Sequence, residues 1–347
     1  MKFKKTAALL SVTALMLASA CTTPTDTPTN GGTQGATDTP GEAGGDITMT
    51  ILPKNLGNPY FETSTKGAQA AADKLGIKTE LVGPAEAAAD AQVQYIETAT
   101  QQKVSAIQIS ANDQTALCDS IEAARAAGIK VVTFDSDAPT CRDLFINQAT
   151  SEGIAKTLTE MAVEQAGGSG EIAILSATAN ATNQNAWIEA MKADLEANHP
   201  DITLVDVVFG DDQDQKSFDE TASLIQKYPN LKVIVAPTTV GIAAAARYVS
   251  TSDAKGRVLV TGLGTPNDMR SYIADGTTTE FALWNPEELG YLTTFAAAAL
   301  VEGTITGAEG DTFDAGDLGE YTVGADATVL LGDPYRFNAD NIDDFNF

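Results

Sequence analysis

One histidine stands in the whole chain, His199, so any chemistry that needs a second imidazole is missing, and no Ser/His/Asp set can be built. His199 lies in Ala197-Asn198-His199-Pro200, a predicted helix-to-strand loop away from the strand ends that carry ligands, and reads as a surface residue. Basic residues are also scarce: 21 Lys and Arg stand against 47 Asp and Glu, a formal net charge of -26. That sign excludes nucleic acid and anionic lipid as charge-driven partners. There are 3 cysteines, and Cys118 and Cys141 have no neighbours at zinc-ligand spacing. No phosphate-cradling Gly-Lys-Ser/Thr motif occurs, and Gly262-Leu263-Gly264-Thr265-Pro266-Asn267 opens like a dinucleotide turn but lacks the third glycine. The acid pairs Asp211-Asp212 and Asp343-Asp344 read as solvated charge. The chain is therefore expected to have no catalytic residues, no metal and no cofactor.

What is present begins at the N-terminus. Lys2, Lys4 and Lys5 precede an apolar run from Thr6 to Leu17, then Ala18-Ser19-Ala20-Cys21. The run is too short to span about 30 Å of hydrocarbon, and it reads as a secretory signal peptide over 1–20. Cys21 stands where a bacterial lipoprotein is cut and acylated, although Ala18-Ser19-Ala20 also reads as an ordinary A-x-A cleavage site. Residues 21–46 are mostly Thr, Pro, Gly and Ala, a composition that cannot offset its ordering entropy. As a flexible tether it would reach about 25–30 Å. The expected location is extracytoplasmic, lipid-anchored to the cell membrane. In such a compartment Cys118 and Cys141 form an even pair, for which a disulfide is expected and two free thiols are the alternative.

From Ile47 onward, Val/Ile/Thr-rich runs alternate with segments of helical period. Strands are expected at 47–53, 78–82, 106–110, 130–134 and 144–147, then at 171–176, 202–209, 233–236, 257–261 and 280–284. Helices are expected between them. The alternation breaks once, near 147–152, and restarts. This predicts an α/β fold of two doubly wound parallel-sheet lobes with a hinge and an interlobe cleft. Lobe 1 is expected over 47–149 plus 286–315, and lobe 2 over 150–285 plus 316–347.

Ligands of open α/β sheets sit beyond the carboxyl ends of the strands. Those positions hold Lys54, Asn58 and Phe61 after the first strand, and Asp135 after Val131-Val132-Thr133-Phe134. The second series adds Asn183, Gln184, Pro237, Thr239, Leu263, Trp284 and Asn285. Amides, hydroxyls, a lysine, an aspartate and aromatic rings suit a neutral polyol, with paired hydrogen bonds to hydroxyls and rings against a pyranose face. Each has a plainer reading: Lys54 as a loop lysine, Asp135 as a turn former, Asn183, Gln184 or Thr182 as a helix cap, and Phe61 and Trp284 as core.

At these residues the chain resembles the type I periplasmic sugar-binding proteins of ABC transporters. Asn58-Pro59-Tyr60-Phe61 with Lys66-Gly67-Ala68-Gln69 is similar to the first-lobe binding loop of the ribose-binding group. Lys54, Trp187, Thr133-Phe134-Asp135-Ser136-Asp137 and Phe337-Asn338-Ala339-Asp340-Asn341 resemble the branch holding rhamnose-binding proteins and autoinducer-2 receptors. The receptor likeness implies ligand contacts at Lys54, Asp135, Asn183, Gln184, Pro237 and Thr239. It departs where an Asp-Gln pair would stand at Asn183-Gln184 and an Ala at Thr239. The stretches 181–187, 236–241 and 281–286 look like the rhamnose-binding side. The resemblance implies a monomeric sugar receptor that hands a small-molecule sugar, rhamnose or a close deoxyhexose, to an ABC permease. Autoinducer-2 or another monosaccharide is the alternative ligand.

Overall fold

The computed structural model describes residues 47–347. The signal peptide, Cys21 and the tether expected over 1–46 lie outside the described residues. The chain opens with β1 (Thr48–Leu52), α1 (Pro59–Leu75), β2 (Lys78–Leu81), α2 (Ala89–Gln102) and β3 (Ala106–Ile109). It continues through α3 (Cys118–Ala126), β4 (Lys130–Phe134) and β5 (Leu144–Asn147). A second run holds α4 (Ser151–Gln165), β6 (Gly170–Ser176), α5 (Thr182–Asn198), β7 (Ile202–Phe209), α6 (Asp214–Lys227) and β8 (Leu231–Ala236). It ends with α7 (Thr239–Thr251), β9 (Leu259–Gly262), α8 (Pro266–Ala274), β10 (Glu280–Leu283) and α9 (Pro286–Glu302). Four short strands close the chain: β11 (Thr312–Asp314), β12 (Glu320–Thr322), β13 (Thr328–Leu330) and β14 (Tyr335–Asn338).

The strands form two parallel sheets. The first has the order β13-β5-β4-β3-β1-β2 and the second β7-β6-β8-β9. β3 and β4 are buried throughout or nearly so, as helices on both faces require, whereas β2 is a mostly exposed edge. An antiparallel β10–β14 ribbon flanks the second sheet through the Leu263–Ala282 bridge. Segment 316–347, expected with lobe 2, divides: β13 pairs with β5 in the first sheet and only β14 joins the second half. The chain thus passes between the halves at 147–151, 283–286 and 330–335.

Helices begin where their sequences provide for it. The Asn58 side chain accepts from Tyr60 N with Pro59 at the first helical position, and Asn285 accepts from Glu287 N ahead of Pro286. α1 packs on α9 at backbone distance. A Cβ on Gly67 would stand 1.8 Å from the Glu287 carbonyl oxygen, and one on Gly290 would stand 1.9 Å from that of Ser64. Only glycine permits so close an approach. Cys118 and Cys141 are joined by a disulfide, their Cα atoms 5.4 Å apart, which ties the start of α3 to the loop after β4. Among the described residues no helix is long and apolar enough to cross a membrane.

Candidate functional site

In each sheet the strand order reverses direction beside β1 or β6, so the loops leaving the carboxyl ends part there and open a crevice. The two crevices face each other around a narrow cavity of about 30 Å³. The first half lines it with Lys54, Asn58, Tyr60, Phe61 and Asp135. The second half contributes Gln184, Trp187, Asp212, Pro237, Thr238, Thr239, Leu263, Leu283 and Trp284.

Lys54 and Asp135 are both buried. The Lys54 ammonium donates to Asn183 Oδ1 at 2.8 Å and to Gln184 Oε1 at 3.2 Å, and lies 4.0 Å from Asp135 Oδ2. A first-half cation is thereby held by second-half amides. Asp135 accepts from the Ser110 hydroxyl at 2.7 Å and the Tyr60 hydroxyl at 3.2 Å. Asn183 Nδ2 lies 3.3 Å from its backbone oxygen. The backbone of Asp135 has φ 61°, in the left-handed region that Asp tolerates better than most residues. Such strain is retained where surrounding contacts enforce it. Burial raises the Asp135 carboxyl pKa; Lys54, Ser110 and Tyr60 pull the other way without cancelling it. Burial and the facing Asp135 charge together push the Tyr60 phenol well above its ordinary value.

The loops beneath are braced by two buried amides. Gln92 donates to the Pro53 carbonyl at 3.0 Å and the Ser110 carbonyl at 2.9 Å, while its oxygen accepts from Asn112 N at 3.0 Å. Asn112 in turn donates to the Lys54 carbonyl at 2.9 Å. Over the polar floor stands an aromatic wall. Trp284 Nε1 donates to the Tyr60 hydroxyl at 2.9 Å, and Trp284 meets Tyr60 and Trp187 edge to face with centroids 6.1 Å apart in each pair. Phe61 packs against Tyr60 at 5.0 Å.

Most of the expected site residues therefore meet in one place: Lys54, Asn58, Phe61, Asp135, Gln184, Pro237, Thr239, Leu263 and Trp284 line the cavity. Asn183 sits behind it and orients Lys54. It does not cap α5, which starts after Ala181 without a side-chain cap. Asn285 does not line the cavity; its side-chain oxygen is committed to capping α9. Three polar residues escaped sequence reasoning. Tyr60 follows the capping Asn58-Pro59 and bridges Asp135 to Trp284. Thr238 precedes α7, and its hydroxyl donates to Asp212. Asp212, read as solvated charge, lines the cavity, and burial raises its pKa.

The site offers fixed donors and acceptors from two halves and an apolar wall, an arrangement that encloses a polar molecule with one hydrophobic face. Two α/β halves joined by three passages with such a crevice between them define a two-lobed solute-binding protein. A sequence profile described as periplasmic binding protein domain matches residues 49–305, and the chain belongs to that family, among the sugar-binding proteins of ABC transporters. Members of this group bind their ligands and are not enzymes.

Solved structures agree. A sugar ABC transporter protein from Actinomyces odontolyticus ATCC 17982 is 52% identical, covering 87% of this chain and 98% of its own, with a TM-score of 0.70. An ABC transporter solute-binding protein from Clostridium phytofermentas with bound L-rhamnose is 38% identical over 86% of this chain and 98% of its own, with a TM-score of 0.83. LsrB from Clostridium saccharobutylicum in complex with AI-2 is 26% identical over 87% of this chain and 100% of its own, with a TM-score of 0.81.

Proposed function

We propose that this protein is the extracytoplasmic receptor of an ABC sugar importer, tethered through Cys21, and that its ligand is L-rhamnose or a close neutral monosaccharide. The observation that carries the reading is the composition of the cavity. Lys54, Asp135 and Gln184 supply hydroxyl partners from both halves, and Phe61, Leu263 and Trp284 supply an apolar wall suited to a sugar ring face and a C6 methyl. Similarity to the rhamnose-bound protein supports the same choice.

Sugar reaches both halves only when they close, so its binding energy shifts the population toward the closed form, which the permease recognises. Moving from mostly open to mostly closed requires about 5 kcal/mol of differential binding, which a handful of buried hydrogen bonds and ring contact can supply.

A thermal-shift and calorimetry panel of L-rhamnose, L-fucose, D-ribose, D-mannose and autoinducer-2 on the mature chain tests the reading. Rhamnose should give the largest shift, accompanied by compaction in small-angle scattering. Autoinducer-2 is the second reading, favoured by the fit to LsrB. A preference for it over every sugar would replace the first.

A further inference from the structure

We propose that Asp212 is the second half's ligand carboxylate: it accepts hydroxyl groups of the bound sugar, and it restricts the site to ligands that present hydroxyl donors to both halves and carry no negative charge. The inference rests on the sugar-binding reading and adds a residue and a selectivity to it.

Asp211 and Asp212 are consecutive acids with opposite fates. Asp211 pairs with Lys216, whereas Asp212 lines the cavity and, among the described residues, makes no ion pair. The loop is built to separate them. Both residues hold left-handed backbones, φ 55° and φ 51°, which is uncommon for consecutive non-glycine positions. Gly210 N donates to the Ser176 carbonyl at 2.9 Å and Asp211 N to the Ala177 carbonyl at 3.0 Å, pinning the turn to the end of β6. Gly210 also packs against Ser217, whose Oγ would lie 2.1 Å from an added Cβ, so the turn cannot relax into a looser one by substitution there. Strain of this kind, held in place at a cavity wall, points to use of the side chain it aims.

A carboxylate offers about four acceptor directions. The Thr238 hydroxyl occupies one on Oδ1, and no other donor in the described residues reaches the group. The site's cation, Lys54, is already shared among Asn183, Gln184 and Asp135. Two carboxylates thus face the cavity with one ammonium between them. A ligand bringing hydroxyl donors satisfies Asp212. One bringing a carboxylate or phosphate leaves it unpaired and adds repulsion.

The test is calorimetry on the mature chain and on Asp212→Asn, Thr238→Val and Asp211→Asn, with L-rhamnose, L-fucose, D-ribose and D-mannose as probes. Asp212→Asn should weaken the best-bound of these sugars by about 10- to 100-fold, the range for loss of a charged hydrogen-bond acceptor. Thr238→Val should weaken it less, and Asp211→Asn should bind like the parent. Thermal unfolding of Asp212→Asn without sugar should be cooperative and no lower than that of the parent, because the change removes a buried charge whose burial outweighs the attraction of Lys54. Parent binding with an Asp212→Asn affinity within about twofold overturns the assignment. If the parent binds none of the sugars, the proposed function falls, and this inference falls with it.

Discussion

The two halves furnish the same cavity by different means. In the first, the loops at the site are braced largely from within their own half: Gln92 and Asn112 fix the loop of Lys54, and Ser110 and Tyr60 hold Asp135, while the Lys54 ammonium and the Tyr60 hydroxyl also bond across the gap. In the second, Asn183 and Gln184 find their main side-chain partner across the gap, in Lys54. The first half fixes its loops from beneath, and the second meets it through amides that bond to Lys54. Pre-organisation on one side lowers the ordering cost of binding, while the less committed side remains free to reopen.

The comparison can be broken most severely at Asp135. Asp135→Ala should reduce sugar affinity by about 100-fold or more, since Lys54 and Tyr60 lose their buried acceptor, yet calorimetric unfolding should remain cooperative. Unchanged affinity would remove Asp135 from the site. Next, Gln92→Ala leaves two carbonyls and an N–H unpaired beneath the floor and should lower unfolding free energy by about 2–3 kcal/mol in urea titration. An affinity loss must accompany it if the bracing matters for function.

Trp284→Phe keeps a ring but deletes the bond to Tyr60 across the cleft, so affinity should fall by roughly 3- to 10-fold. The loss should appear mainly as faster dissociation in stopped-flow, because the bond joins the two halves. A change confined to the association rate would count against that role.

The smallest expected effect is on pH. Burial raises the pKa of both Asp135 and Asp212, so their contribution to folding is fully present below the ordinary carboxylate range and is lost as pH rises through the raised values. Asp206 behaves oppositely: the hydrogen bond from Lys227 lowers its pKa, and its contribution is present above the ordinary value and lost as pH falls through the lowered one. Mild acidification from neutrality should therefore stabilise the sugar-free protein slightly before stronger acid destabilises it. Sugar affinity should decline over that same mild window as the acceptor carboxylates protonate. Parallel rather than opposed trends in melting temperature and calorimetric affinity would contradict this.

Much of the fold was legible because buried parallel strands announce themselves. Lys130–Phe134 and Leu144–Asn147 occur as expected, since apolar runs bounded by polar turns have one comfortable conformation between helical layers, and the edge strand Ile202–Phe209 also falls where expected. The strands of the tail are three or four residues long, too short for periodicity to register, and their pairing with distant strands is decided by packing alone. At the site, strand-end position was enough to find Lys54 and Asp135. It failed for Asp212, because the inward aim of one acid in a pair depends on backbone dihedrals that residue type does not encode. It misassigned Asn285, where helix capping competes for the same side chain.

The chain has 2 tryptophans, Trp187 and Trp284, and both stand in the cavity wall in edge contact with each other. Its tryptophan emission therefore comes from the place where solute arrives and the halves meet. Spectral shifts would track occupancy without dye or label, giving the molecule a built-in optical gauge of its own loading.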